Sequence, residues 1–260
     1  MHVATTQTRR RTAAREQRRL AAAAAERRRR LHRRLFAAGA VVIVALVAAV
    51  VVAVVRAATG GDAALPRATG GLVVPANATA AGAVIVGRAD APVTVAVYLD
   101  YLCPYCARFE QANAADLERL TAAGTMRLEL HPLAFLDRLS AGTRYSTRSA
   151  AALAAVADAA PERVLAFNRA LYERQPAEGG PGLTDAAIAA IAVESGVDGA
   201  VADRLRDGRF APWVLAGTDA ATAAGVTGTP TVRVDGKAFT GDLYSAGPLA
   251  RAVEAAAGQR

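Results

Sequence analysis

The sequence holds two cysteines, Cys103 and Cys106, in the stretch Cys103-Pro104-Tyr105-Cys106. Two thiols three positions apart at the start of a helix share one face and can close a disulfide with each other. The leading thiol then sits where backbone N–H groups and the helix macrodipole favour negative charge. Cys103 is thus the candidate low-pKa thiolate and Cys106, deeper in the first turn, the candidate resolving thiol. Pro104 suits the first helical position, where its missing N–H costs nothing. A staple closing so small a loop removes little unfolded-state entropy, so exchange chemistry explains the pair better than a structural clip.

The elements that must position this pair can be read on either side of it. Ala83 to Val86 and Val93 to Leu99 are predicted strands, the second apolar enough for the centre of a sheet. The helix opened by the cysteines runs through Phe109, Leu117 and Leu120 to a stop at Gly124. Met126 to Leu130 follows as a strand, with Leu128 and Leu130 on one face and Arg127 and Glu129 on the other, completing a βαβ unit. Residues 144–225 read as a helical insertion with its own start and stop signals, among them Pro161, Thr184 and Gly196. Thr231 to Val234 and Ala238 to Thr240 are short strands joined through Asp235-Gly236, a hairpin signal, and Ser245 to Ala257 is a closing amphipathic helix.

The formal net charge of +8 suggests nucleic acid until its distribution is considered. Residues 1–34 carry 12 Arg and 2 Glu, leaving 19 basic and 21 acidic residues for everything downstream. No Arg-rich surface with interleaved aromatics follows, which argues against a nucleic-acid partner. The basic tail instead precedes Leu35 to Val55, a run of 21 uncharged residues ending at Arg56. Such a helix would span about 30 Å, the thickness of a bilayer's hydrocarbon core. The expected organisation is a basic cytoplasmic tail over 1–34, a single transmembrane helix over 35–56, a Gly/Pro-rich flexible linker over 57–81 and a folded domain over 82–260. The domain would lie outside the cytoplasm, where a disulfide can persist.

The stretch from Ala91 to Phe109 (APVTVAVYLDYLCPYCARF), the distant Gly228-Thr229-Pro230-Thr231 and the helical insertion between them resemble the DsbA-like thiol:disulfide oxidoreductases of thioredoxin fold. More narrowly, the chain is similar to the membrane-anchored members of high-GC actinobacteria. The resemblance implies an α/β thioredoxin fold with a helical insertion, preceded by one N-terminal transmembrane helix, and no cofactor. It makes Cys103 the nucleophile, Cys106 the resolving thiol, Pro104 and Tyr105 supporting residues, and Thr229-Pro230 a cis-proline loop facing the disulfide. A cis X-Pro bond is accessible at about 0.5–1 kcal/mol and turns the chain sharply. The Thr229 backbone would pair with an extended substrate by β-addition. The chain departs from thioredoxins in carrying Val97 where they place a buried Asp. Asp100, the nearest acid, either tunes Cys106 or merely ends the strand and caps the turn.

The resemblance further implies reduced secreted polypeptides as substrates and a quinone-linked membrane redox partner of the DsbB or VKOR type. Introduction of disulfides is the expected direction, because the isomerases carry a dimerisation domain that 57–81 is too short to be. A reductase or isomerase of the same fold is the alternative. A metal-binding or chaperone-like module is the reading from another class, but one CxxC supplies two soft ligands where a closed zinc site wants about four. His131, at a strand end before Pro132, is expected at the surface.

Overall fold

A computed structural model describes residues 72–259. The expected basic tail, the transmembrane helix and the linker up to residue 71 lie outside the described residues. Among the described residues, no helix is long and apolar enough to cross a membrane.

The chain forms β1 (Val84–Val86), β2 (Val93–Leu99), α1 (Pro104–Ala122) and β3 (Met126–Pro132). The helical insertion follows as α2 (Tyr145–Ala159), α3 (Val164–Glu173), α4 (Asp185–Glu194), α5 (Gly199–Asp203) and α6 (Ala211–Ala223), with short 3-10 turns between some of them. The chain then returns to the sheet as β4 (Thr231–Val234) and β5 (Lys237–Ala238) and ends in α7 (Pro248–Ala257). The sheet order is β1-β3-β2-β4-β5, with β2 parallel to β3 and every other neighbouring pair antiparallel.

β2 owes its central position to its apolar run. Val93, Val95, Val97 and Leu99 enter the main core with Phe109, Leu117 and Leu120 of α1, while Ala96 and Tyr98 face a second cluster with Leu133, Ala221 and Val226. β3 alternates as its sequence predicts: Leu128 and Leu130 are buried, and Arg127 pairs with Glu129 at 2.8 Å on the other face. The Ala-rich α2 is almost wholly buried and packs on α3 and α6, which small side chains permit. Thr184 caps α4 by accepting a hydrogen bond from the Ala187 N–H.

Three boundaries differ from expectation. The folded unit begins before Gly82: Ala78 bridges to Val84, the Asn77 amide donates to Ala157 O at 3.0 Å, and the Trp213 indole donates to Thr79 O at 2.8 Å. Gly82, at φ 89°, sits so close to α6 that a Cβ there would lie 2.5 Å from Gly217 Cα. The last strand is Lys237–Ala238, earlier than predicted, because the two-residue turn at Asp235 and Gly236 (φ 47° and 78°) pairs Val234 directly with Lys237. α7 starts at Pro248 rather than Ser245, since Gly247 at φ 99° breaks the chain direction and Pro248 then occupies the first turn.

Candidate functional site

β2 delivers the chain to the site and stops at Leu99. Asp100 then forms a tight turn: its carbonyl accepts the Cys103 N–H at 3.0 Å and its carboxylate accepts the Leu102 N–H at 2.9 Å. Cys103 is the N-cap of α1, with extended backbone (φ −76°, ψ 115°), and Pro104 occupies the first turn. Both thiols are free and buried, Cys103 at 5% exposure and Cys106 at 1%.

The sharp Thr229-Pro230 turn, a cis peptide bond, brings Thr229 against the leading sulfur. In its protonated form Cys103 Sγ donates to Thr229 O at 3.3 Å, a bond that is lost when the thiol ionises. Opposing influences act on this sulfur. The Cys106 thiol donates to the thiolate and is the largest influence; burial works against ionisation; the Thr229 hydroxyl and the backbone N–H groups of Cys106 and Tyr105 support it. The balance lowers the Cys103 pKa to about 6. Burial, then the neighbouring Cys103, pushes Cys106 well above an ordinary thiol. One sulfur is therefore largely thiolate at neutral pH and the other holds its proton.

Asp100 proves to be a clamp. It is fully buried, and besides Leu102 its carboxylate accepts from Ser146 Oγ at 2.7 Å and the Leu136 N–H at 2.9 Å, tying the cysteine turn to the loop after β3 and to α2. Burial raises it to about 6 against those three hydrogen bonds. The turn-capping expectation thus describes its contacts, and none of its carboxylate's partners is a thiol.

Sequence reasoning missed Gln175. Its amide Nε2 donates to both Tyr101 O and Cys103 O at 3.0 Å, satisfying two carbonyls of the cysteine turn from just beyond α3. Tyr101 donates to Asn168 Oδ1 at 2.8 Å, and Tyr172 OH donates to Asp100 O at 3.3 Å. No local pattern marks these residues, because each acts across more than sixty positions of chain.

The expected surface position of His131 is wrong. It is buried and stacks on Tyr98, its cross-strand neighbour in β2, with ring centroids 4.2 Å apart. Burial, helped by Arg233, lowers its pKa to about 4, so it is neutral. Among the described residues, no three His, Cys, Asp or Glu side chains cluster to hold a metal.

Tyr105 projects at 55% exposure beside Cys103, its ring centroid 6.1 Å from that of Tyr244, and the Arg108 guanidinium stands over both rings. On the other side, a cavity of about 660 Å³ is lined by Cys103, Phe135, Leu136, Val226, Gly228 and Thr229. A reactive thiolate, a proton-holding partner one turn away and a Thr-Pro loop above them define a thiol:disulfide exchange centre.

Comparison with known proteins agrees. The thioredoxin family model matches residues 79–253, and the chain belongs to that family. The structure is similar to reduced DsbG, a disulfide bond oxidoreductase of Mycobacterium tuberculosis, at 30% identity and TM-score 0.58, covering 70% of this chain and 95% of that one. It is similar to reduced DsbA of the same organism at 29% identity and TM-score 0.56, covering 68% and 99%. BdbD of Bacillus subtilis, at 21% identity and TM-score 0.59 over 72% and 99%, shares the fold. Among curated sequences, the serine/threonine-protein kinase PknE of M. tuberculosis is 32% identical over 129 residues, 48% of this chain but only 23% of the kinase. The chain is a DsbA-like thiol:disulfide oxidoreductase of actinobacterial type.

Proposed function

We propose that this enzyme introduces disulfides into secreted or membrane polypeptides outside the cytoplasm, with Cys103 as nucleophile and Cys106 as resolving thiol. The observation that carries the reading is the split between the two thiols, Cys103 lowered to about 6 and Cys106 raised well above its ordinary value. A stabilised Cys103 thiolate favours the dithiol form, which makes the disulfide form a stronger oxidant. In the forward reaction a substrate thiolate attacks Cys103 Sγ of the disulfide and Cys106 leaves. The substrate's second thiolate then attacks its own mixed-disulfide sulfur, and Cys103 leaves as the thiolate. An extended substrate lying along Thr229 would place its cysteine at Cys103 and its side chains in the neighbouring cavity.

The run from Leu35 to Val55 and the Arg-rich tail support a cell-membrane anchor with the N-terminus in the cytoplasm. Anchoring would hold the enzyme in one plane with a quinone-linked partner of the DsbB or VKOR type that reoxidises it. The test is in-cell trapping. Full-length Cys106→Ser should accumulate mixed disulfides with exported polypeptides that dissolve on reduction and are absent from Cys103→Ser. Trapped cytoplasmic proteins alone, or equal trapping by the Cys103→Ser chain, would defeat the reading.

A further inference from the structure

In either direction of exchange, Cys106 must gain or lose a proton while closed off from solvent. Breaking the Cys103–Cys106 disulfide leaves an electron pair on Cys106 Sγ, which takes up a proton. Re-forming it requires that proton to leave before Sγ can attack. The strand offers no acid for this task, since Val97 is a buried apolar residue of β2. Two other buried carboxylates lie near the pair, and their surroundings separate them. Asp100 is committed to Leu102, Leu136 and Ser146.

Glu110 is placed differently. It lies four residues beyond Cys106 on α1, so the two side chains leave the same helix face one turn apart. It is buried at 8% exposure, yet it lines a cleft of about 520 Å³ between α1 and α3, with Ala107, Gln111, Arg169, Tyr172 and Glu173. One helix face thus runs from the enclosed thiol to a carboxyl group at a cleft wall. We propose that Glu110 is the proton-exchange group of Cys106, passing the proton between that thiol and the cleft.

Protons balance in both directions. When Cys106 leaves the disulfide, the Glu110 carboxylic acid gives its proton to the thiolate and recovers one from the cleft. When Cys106 attacks, the Glu110 carboxylate takes the thiol proton and releases it to the cleft. No oxidant beyond the exchanging disulfide is needed.

The groups facing Glu110 fit this task. Burial raises its carboxyl to about 7, against the Asn168 amide and Arg169 and with Glu173 adding to the rise, all three on α3. Both protonation states are therefore populated near neutrality, the condition for a group that works as acid and base. Arg169 is itself paired with Glu118 at 2.6 Å, and Arg108 of α1 stands over the Tyr105 and Tyr244 rings. Burial, with charge at Cys106 and Glu110 adding to it, pushes Tyr101 and Tyr172 well above ordinary phenols, so both keep their protons.

The inference rests on exchange at Cys103 and Cys106 but not on its direction. The test forms the glutathione mixed disulfide on Cys103 of the full-length protein and follows attack by Cys106 by rapid acid quench across pH. Glu110→Gln should still form the mixed disulfide, so a failure at that first step would strike the exchange reading and not this one. Its resolution rate at neutral pH should fall about tenfold or more and lose the inflection near neutrality, while Glu110→Asp recovers part of both. An unchanged rate and profile in Glu110→Gln would overturn the proposal and leave Glu110 as a partner for Asn168. In the unmutated protein, carbon-13 labelling of the glutamate carboxyls gives a second reading. The Glu110 midpoint should move between the dithiol and disulfide states, and a midpoint indifferent to Cys106 would equally overturn it.

Discussion

Replacing Cys106 by Ala removes the largest single influence that holds the Cys103 thiolate, the hydrogen bond from the Cys106 thiol. A hydrogen bond to a charged group is worth about 1.5–3 kcal/mol, and one pH unit corresponds to about 1.4 kcal/mol, so the Cys103 midpoint should rise by about one to two pH units. It should stop short of a free thiol, because the Thr229 hydroxyl and the N–H groups of Tyr105 and Cys106 remain. Cys106→Ser keeps a hydroxyl donor in nearly the same place and should recover most of the lowering. The assay is the ultraviolet absorbance of the thiolate followed against pH, with alkylation rates as an independent measure. A Cys106→Ala protein that still titrates near the native value of about 6 would refute the assignment. The thiolate would then be held by the helix terminus alone, and the two thiols would not act as a coupled pair.

Gln175→Ala leaves the carbonyls of Tyr101 and Cys103 without their donor. It should cost about 1–3 kcal/mol in urea unfolding and lower the exchange rate, whereas Gln175→Glu, which cannot donate, should do no better. His131 has its folded-state pKa lowered from 6.5 to about 4 by burial. The unfolded chain therefore binds that proton first, and this contribution, complete above the unfolded value, is lost as pH falls from about 6.5 to about 4. Asp100 and Glu110, both raised, act in the opposite sense through partly the same range, so the effect is read as a difference from His131→Asn. Native stability should fall relative to that variant by about 2–3 kcal/mol on acidification, and parallel pH profiles would contradict the buried neutral imidazole.

What was legible in the sequence was what local chemistry dictates. The cysteine spacing, Pro104 at the helix start, the apolar run of β2 and the Asp235-Gly236 turn each specify their conformation within a few residues. The Thr229-Pro230 loop was found by resemblance, since 123 positions separate it from Cys106. His131 looks exposed as a polar residue at a strand end, whereas its register opposite Tyr98 puts it beneath a ring. The domain start is not legible because a Gly- and Pro-rich stretch carries no periodicity, although Ala78 and Thr79 pair with β1 and its approach. Gln175, Asn168 and Glu110 gave no signal. They matter through packing of α3 against α1, a tertiary contact without local signature.

The reduction potential of the Cys103–Cys106 couple, measured for the full-length protein in defined glutathione buffers, bears most directly on the proposed oxidising role. Thioredoxin lies near −270 mV and DsbA near −120 mV. A Cys103 thiolate favoured to about 6 places the expected value between them, above about −220 mV and so on the oxidising side of glutathione. A value at or below about −270 mV would contradict it and mark the enzyme as a reductase.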